Sequence, residues 1–192
     1  MIYWILHFGL KVVFWIKFSA KIYGAEKVPA GGPLLIASNH VTNWDPFLIH
    51  RAVPIRMAFM AKEELFKIPV LSWVMKNEKV IPVRRGAADR NAIRLAIAAL
   101  KSGRVLGIFP EGTRNQSGEL QDFQPGMTML AVKAQCGVVP TWLEWSFKGT
   151  VRVYIGDLIH PPAEDSSKEE QVAFTEKVRS KILELGEKAK EG

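Results

Sequence analysis

A histidine and an aspartate that could act together as a catalytic base lie five positions apart in residues 39–46, which read NHVTNWDP. On one continuous helix, five residues correspond to a rotation of about 500°, so the two side chains would point about 140° apart. His40 and Asp45 can meet if His40 lies in a loop after a strand and Asp45 lies where the next helix starts. Asp45 and Pro46 fit such a start, because Asp is a favoured N-cap residue and Pro a favoured first helical residue.

In that arrangement the Asp45 carboxylate would hold the His40 imidazole in one tautomer, as in the base half of a catalytic triad. No Ser or Cys nucleophile is obviously placed beside the pair in the sequence. We therefore predict that His40 acts directly as a base on a substrate hydroxyl. The simpler interpretation is a capped helix whose histidine bonds a backbone carbonyl, because an H-x4-D pattern is common by chance.

Two further polar clusters also come at the ends of apolar runs. Residues 109–114 (FPEGTR) end one run, and the pair Arg84-Arg85 follows another at residues 80–83. In open parallel sheets, binding residues gather at the carboxyl ends of the strands. Polar residues that follow three strands therefore predict a single site. Its candidate residues are His40, Asp45, Arg85, Glu111, Gly112, Thr113 and Arg114.

The two arginines of this set are suited to a phosphate, because a guanidinium group can hold two phosphate oxygens at once. We therefore predict that Arg85 and Arg114 bind phosphate. Gly112 would let the backbone approach a ligand closely, and Glu111 could either orient Arg114 or bind a substrate hydroxyl. The alternatives are a solvated arginine pair at a strand end and a local ion pair between Glu111 and Arg114.

Short apolar runs alternate with stretches of helical spacing after residue 30. Strands are predicted near residues 34–37, 57–60, 80–83, 105–109, 138–143 and 151–155, and helices from about 47, over 62–75, 88–101, 127–134 and 166–189. We therefore expect an α/β fold, a single domain with a mostly parallel central sheet flanked by helices. This domain is expected to occupy residues 29–192, which are enough for a sizeable core.

The first 23 residues are very apolar, and the polar side chains that interrupt them are mainly His7, Lys11, Lys17 and Lys21. On a helix with about 100° per residue, these four would fall within an arc of about 120°. A lysine-bearing stripe on an apolar, aromatic-rich helix is typical of a segment that lies in the membrane interface. We predict that residues 1–28 form a helical, membrane-associating segment; the alternatives are a spanning helix and a helix packed on the core.

The balance of charges favours anionic partners, because 26 Lys and Arg exceed 19 Asp and Glu and give a formal charge of +7. A nucleic-acid binder would cluster its basic residues with exposed aromatic side chains. Here the lysines are scattered and the aromatic residues concentrate near the N-terminus, so nucleic acid is not an expected partner. The one cysteine, Cys136, excludes an intramolecular disulfide and is predicted to be a small buried residue.

Four short motifs follow one another along the chain: NHVTNWD at residues 39–45, KEELF at 62–66 leading to PVRRG at 82–86, FPEGTR at 109–114 and VVP at 138–140. In this order, they resemble the motifs of the bacterial 1-acyl-sn-glycerol-3-phosphate acyltransferases. In the second motif, Arg85 matches the substrate-binding arginine of the family. In the fourth, Thr141 stands where a small apolar residue is more usual.

The resemblance implies that His40, held by Asp45, takes the proton of the free sn-2 hydroxyl of lysophosphatidic acid. The hydroxyl would attack the thioester of acyl-CoA or acyl-carrier protein, and phosphatidic acid for phospholipid synthesis would be formed. Arg85 and residues 111–114 would hold the glycerol phosphate, and no metal or other cofactor is implied. The protein would act at the cytoplasmic face of the cell membrane, as a monotopic or peripheral protein.

The sequence leaves two other functions open. A related transferase that acts on glycerol 3-phosphate or on another lysolipid would share these motifs. A non-catalytic membrane-binding protein would not need the His40–Asp45 pair together with phosphate-binding arginines.

Overall fold

A computed structural model describes residues 19–53, 55–84, 89–115, 119–145 and 150–191. The strands are β1 (Ser19–Tyr23), β2 (Leu34–Ser38), β3 (Met57–Lys62), β4 (Ile81–Val83), β5 (Val105–Ile108), β6 (Gly137–Trp145) and β7 (Thr150–Ile155). The α-helices are α1 (Asp45–Ala52), α2 (Pro69–Asn77), α3 (Arg90–Lys101), α4 (Gly126–Ala134) and α5 (Lys168–Glu191). Two short 3₁₀ helices cover Ala25–Lys27 and Glu63–Lys67.

The strands form one sheet in the order β1-β7-β6-β2-β5-β3-β4. The five strands from β6 to β4 are parallel, and only β1 and β7 at one edge run in the opposite direction. The predicted α/β fold with a mostly parallel sheet is therefore confirmed. β2 lies near the centre and is buried along its whole length, which explains why its sequence, LLIAS, is a continuous apolar run and not an alternating one.

Helices cover both faces of this sheet. On one face, apolar side chains of α3, α4 and α5 pack against the strands in a single large cluster. On the other face, Leu48, Ile49 and Ala52 of α1 pack against β2, β6 and β7. The parallel strands therefore have buried side chains on both faces, and polar residues that serve a site are left at the strand ends.

The N-terminal prediction is wrong for residues 19–23, which form the edge strand β1 and not the end of a helix. β1 pairs with β7 through backbone hydrogen bonds, from Ser19 opposite Thr150 to Tyr23 opposite Tyr154. Backbone pairing at an edge does not require apolar side chains, so the sequence pattern did not reveal it. Residues 1–18 lie outside the described part of the chain. Among the described residues, no helix is long and apolar enough to cross a bilayer.

The stretch predicted as one helix over residues 62–75 is divided in two. The 3₁₀ helix Glu63–Lys67 ends before Ile68, which is extended with φ −84° and ψ 114°, and α2 then begins at Pro69. Proline disfavours the helical conformation of the residue before it and lacks the N–H that would continue a helix. Pro69 therefore starts a new helix.

The single cysteine is buried, as predicted. Cys136 lies in the loop between α4 and β6, and burial raises the pKa of its thiol to about 12. Because the thiolate is the reactive form, this thiol is inert at neutral pH.

Candidate active site

The loop between β2 and α1 brings the predicted pair together. His40 Nδ1 lies 2.7 Å from Asp45 Oδ2, which confirms that the two side chains meet across a strand-to-helix loop. The predicted cap position is wrong by one residue, because Trp44 is the N-cap and Asp45 is the first residue of α1. The cause is that the Asp45 carboxylate turns back towards the loop, where the backbone N–H groups of Val41 and Thr42 donate to Oδ2.

Five donors surround the Asp45 carboxylate, whose side chain is completely buried. Oδ2 accepts from His40, Val41 and Thr42 at 2.7, 2.6 and 2.8 Å. Oδ1 accepts from the Thr42 hydroxyl at 2.9 Å and from the indole N–H of Trp145 at 3.1 Å. A buried carboxylate is costly unless donors satisfy its oxygens. This set of donors therefore maintains Asp45 as an anion without access to water.

The anion determines which nitrogen of His40 carries the proton. Since a carboxylate only accepts hydrogen bonds, Nδ1 must be the protonated nitrogen when the imidazole is neutral. Nε2 then has a lone pair that can accept a proton from a substrate. The side chain of His40 is 16% exposed, so the ring is held by the protein while part of it stays accessible.

The loop after β5 holds His40 from a second direction. The ring of Phe109 stacks on the imidazole with 3.9 Å between centroids and an angle of 14°. The backbone N–H of His40 donates to Glu111 Oε1 at 3.0 Å, and the N–H of Asn115 donates to the carbonyl of His40 at 2.7 Å. Both the backbone and the ring of His40 are therefore fixed by the FPEGTR loop.

Glu111 makes two backbone contacts that the sequence did not predict, and its contact with a substrate hydroxyl stays a prediction. Its carboxylate is buried, with Oε1 accepting from the N–H of His40 and Oε2 accepting from the N–H of Gln121 at 3.1 Å. Glu111 therefore ties two loops together and does not orient Arg114. Burial raises the pKa of the Glu111 carboxyl, and the two backbone donors offset part of that shift.

The remaining predicted residues lie on the outer part of the loop. Gly112 adopts φ 72° and donates its N–H to the carbonyl of Phe109 at 3.0 Å, so the turn requires a residue that tolerates the left-handed region. Thr113 and Arg114 are exposed. Arg85 lies outside the described residues, so its predicted phosphate contact stays a prediction.

A cleft of about 550 Å³ opens beside this loop. Its lining residues are Glu111, Thr113, Asn115, Glu119, Leu120, Gln121, Asp122 and Gln124. In the part of the chain that the structure describes, no three His, Cys, Asp or Glu side chains are grouped as the ligands of a metal ion would be.

Two residues that the sequence analysis did not assign to the site take part in it. The side-chain amide of Asn39 exchanges two hydrogen bonds with the backbone of Leu143, at 3.0 and 2.7 Å, and so attaches the start of the loop to β6. The indole N–H of Trp145 donates to Asp45. The position of Asn39 beside His40 was a possible signal, whereas nothing in the sequence connects Trp145 with a residue 100 positions away.

An aromatic stack behind His40 depends on a glycine. Phe59 of β3 lies 6.2 Å from Phe109 between ring centroids, at an angle of 15°. Phe59 is the register partner of Gly107 in β5, and a Cβ atom at position 107 would collide with the Phe59 ring. Gly107 therefore leaves the space in which Phe59 supports Phe109, and Phe109 in turn supports His40.

The chain resembles the same group of known proteins in sequence and in structure. Residues 19–144 match the model of the family described as Acyltransferase. The chain is 30% identical to the 1-acyl-sn-glycerol-3-phosphate acyltransferase of Bacillus subtilis over 94% of each protein. It is also 30% identical to a lyso-ornithine lipid O-acyltransferase of Pseudomonas aeruginosa, over 65% of this chain and 49% of that protein.

A crystal structure of the 1-acyl-sn-glycerophosphate acyltransferase PlsC from Thermotoga maritima superimposes with a TM-score of 0.75 at 30% identity. The match covers 91% of this chain and 76% of that one. Several other relatives are longer, and the chain spans between 47% and 63% of their length. The resemblance that the four motifs predicted is confirmed.

Replacing Trp145 by Phe should weaken the base without removing it. The variant keeps an aromatic ring but loses the donor to Asp45 Oδ1, so a buried carboxylate oxygen has one hydrogen bond fewer and orients His40 less firmly. A hydrogen bond to a charged group contributes about 1.5–3 kcal/mol, so we expect kcat/KM to fall about tenfold or more. Steady-state kinetics at neutral pH provide the measurement.

The matched control for this variant is Trp142→Phe on the same strand. Trp142 donates its indole N–H to Glu144 at 3.0 Å and does not contact Asp45. This control should leave kcat/KM unchanged. An equal loss of kcat/KM in both variants would contradict the assignment.

Replacing Gly107 by Ala should disturb the aromatic stack. An added methyl group in a packed region costs about 1–3 kcal/mol, and displacement of His40 should lower kcat/KM by about tenfold. Urea unfolding and steady-state kinetics measure the two effects. Gly126→Ala is the control, because its Cβ would point into open space. A destabilised Gly107→Ala protein with full kcat/KM would show that the stack does not position His40.

Replacing Glu111 by Gln should change both activity and the pH dependence of stability. Because the pKa of Glu111 is raised above 4.5 in the folded protein, the folded state binds this proton more tightly than the unfolded state. The group therefore lowers the free energy of unfolding as the pH rises from about 4.5 through the raised pKa. Glu111→Gln should lose this part of the pH dependence.

Glu111→Gln should also lower the catalytic rate. The side-chain amide would place an N–H group against the backbone N–H of either His40 or Gln121, which donate to the carboxylate in the unmodified protein. We expect kcat/KM to fall by about tenfold or more, as for a lost charged hydrogen bond. Urea titrations between pH 4 and 7 and steady-state kinetics provide the measurements. Glu176→Gln, at an exposed position of α5, should behave like the unmodified protein in both assays.

Proposed function

The chain belongs to the acyltransferase family, and from this premise we propose that it transfers a fatty acyl group to the sn-2 hydroxyl of lysophosphatidic acid. The product is phosphatidic acid, and the donor is acyl-CoA or acyl-carrier protein. The observation that carries the proposal is the 2.7 Å contact between His40 Nδ1 and the buried carboxylate of Asp45, because it leaves Nε2 as a base.

In the proposed reaction His40 Nε2 takes the proton of the acceptor hydroxyl as its oxygen attacks the thioester carbonyl. A carbon–oxygen bond forms, the carbon–sulfur bond breaks, and the departing thiolate takes the proton from the imidazolium. Asp45 stabilises the imidazolium through Nδ1. A positioned base contributes about 10²–10⁴-fold, and the binding of both substrates in the reactive orientation would supply much of the rest.

Direct transfer fits the described hydroxyl groups beside the base better than an acyl-enzyme. Ser38 is buried and its hydroxyl hydrogen-bonds the amide of Asn39. The hydroxyl of Thr42 is engaged by Asp45, and the single thiol, that of Cys136, is buried before β6 at the end of the sheet opposite to His40. The substrate hydroxyl is therefore the proposed nucleophile, and the reaction needs no cofactor besides the thioester co-substrate.

The phosphate of the acceptor is proposed to bind Arg114 together with Arg85. Arg114 is exposed in the loop that also supplies Glu111 to the backbone of His40, so a phosphate held there lies on the same loop that fixes the base. The protein is proposed to work at the cytoplasmic face of the membrane, with residues 1–18 as its membrane-associating segment. Ser19 pairs with Thr150 and Val151 pairs with Trp145, so β1 begins at the same end of the sheet as the one where Asp45 lies.

One observation favours a second acceptor class. The cleft beside Thr113 is lined by three carboxylates, those of Glu111, Glu119 and Asp122. Carboxylates attract a cationic headgroup and repel a phosphate. A lysolipid with an amine-bearing headgroup is therefore the second candidate acceptor.

The test is acyl transfer from radiolabelled acyl-CoA, and separately from acyl-carrier protein, in mixed micelles. We expect lysophosphatidic acid to be acylated, and a folded His40→Ala variant to lose at least about a hundredfold in rate. His160→Ala is the control, because His160 is an exposed histidine beyond β7. Full activity in His40→Ala would overturn the mechanism.

The acceptors supplied in parallel separate the candidates. Preference for lyso-ornithine lipid over lysophosphatidic acid would assign the protein to the second class. If glycerol 3-phosphate were the acceptor and lysophosphatidic acid were not, the protein would catalyse the acylation that precedes the one proposed. Transfer to none of the three acceptors would favour a non-catalytic membrane-binding protein.

A further inference from the structure

Large apolar side chains are exposed mainly in one region of the described chain. Ten such side chains are exposed among the described residues, and six of them lie between residues 44 and 73. These six, which we call the apolar edge, are Trp44, Phe47, Leu65, Ile68, Val70 and Trp73. Exposed apolar residues that are scattered need no explanation, whereas a concentration of them marks an interaction surface.

The apolar edge lies at the active-site end of the sheet. Trp44 and Phe47 are at the start of α1, which follows β2, and the other four are in the 3₁₀ helix after β3 and the first turns of α2. The crossovers from β2 to β3 and from β3 to β4 advance in the same direction across the sheet. Because such crossovers are right-handed, α1 and α2 lie on the same face.

Basic side chains accompany these apolar residues. Lys62 and Lys67 are exposed at the two ends of the 3₁₀ helix. Glu63 and Glu64 lie between them, and Arg84 pairs with Glu63 at 2.7 Å. Three basic side chains against two carboxylates leave an excess of one positive charge beside the apolar residues, and this combination suits the headgroup region of anionic bilayers.

We propose that the apolar edge is a second membrane-docking surface, which rests on an anionic bilayer independently of the N-terminal segment. Ile68 and Val70, each more than half exposed, enter the interface while Lys62 and Lys67 meet the headgroups. Docking in this position directs the strand ends, with His40 between α1 and the FPEGTR loop, towards the bilayer. The inference rests on the proposed function in one respect, that the acceptor is a membrane lipid.

A bilayer fits this surface better than a second copy of the chain. A symmetric dimer formed through the apolar edge would bring the lysines of both copies into one interface. Like charges that become buried without partners oppose association. An anionic membrane instead provides the complementary charge.

The test uses the full chain with one fluorescent label. Cys136 is buried with a pKa of about 12, so a cysteine introduced by Val70→Cys is the reactive thiol and can carry an environment-sensitive NBD group. The matched control is Val172→Cys, because Val172 on α5 is 55% exposed and Val70 is 57% exposed. α5 lies on the opposite face of the sheet.

Both labelled proteins are mixed with vesicles of phosphatidylglycerol and phosphatidylethanolamine, and sedimentation measures the bound fraction. We expect NBD emission at position 70 to increase at least about twofold and to shift to the blue, with little change at position 172. Changing Lys62 and Lys67 to Gln should lower the affinity for these vesicles by about tenfold.

Three results would overturn the proposal. One is an unchanged signal at position 70 while the protein sediments with vesicles, which would place the contact elsewhere. Another is the same change at both positions. The third is a change at position 70 that depends on protein concentration without vesicles, which would assign the surface to a second copy. Acyl transfer in detergent micelles is measured separately, so failure of the proposed reaction and failure of docking are distinguishable.

Discussion

The arrangement of this site depends on one buried anion. The Asp45 carboxylate is sealed from water, and its two oxygens receive five hydrogen bonds from the loop before α1, from His40 and from Trp145. Each bond to a charged group contributes about 1.5–3 kcal/mol, and an unsatisfied buried charge would cost more than that. The contacts that stabilise the buried Asp45 anion also determine the path of the loop between β2 and α1 and the tautomer of His40.

A second carboxylate, that of Glu111, positions the histidine that the Asp45 carboxylate orients. Glu111 holds the backbone of His40 from the neighbouring strand β5, and Phe109 packs flat against the imidazole. Since β2 and β5 pair in parallel, their carboxyl ends are adjacent and the two loops meet without a long connection. The base is therefore held by residues of two loops and one strand end, which leaves it little freedom while Nε2 remains available.

Much of the fold could be predicted from the sequence, because apolar runs and helical spacing report burial directly. β2, β5 and β6 are buried on both faces and appear as continuous apolar stretches, and α3 and α5 show helical periodicity. β1 could not be predicted, since an edge strand that exposes most of its side chains has no apolar pattern. The break at Pro69 was visible in the sequence but needed the backbone geometry for its interpretation.

The sequence by itself determined the chemical groups: a histidine and a carboxylate close enough along the chain to meet in one loop, and a second polar loop with its glycine. These follow from residue type and short spacing, because local geometry limits where neighbours can go. Only the tertiary structure decided that Glu111 serves the backbone of His40, that Trp145 donates to Asp45 and that Gly107 makes room for Phe59. Such contacts join residues far apart in the chain, and they depend on which strands become neighbours in the sheet, which the pattern of a single strand does not specify.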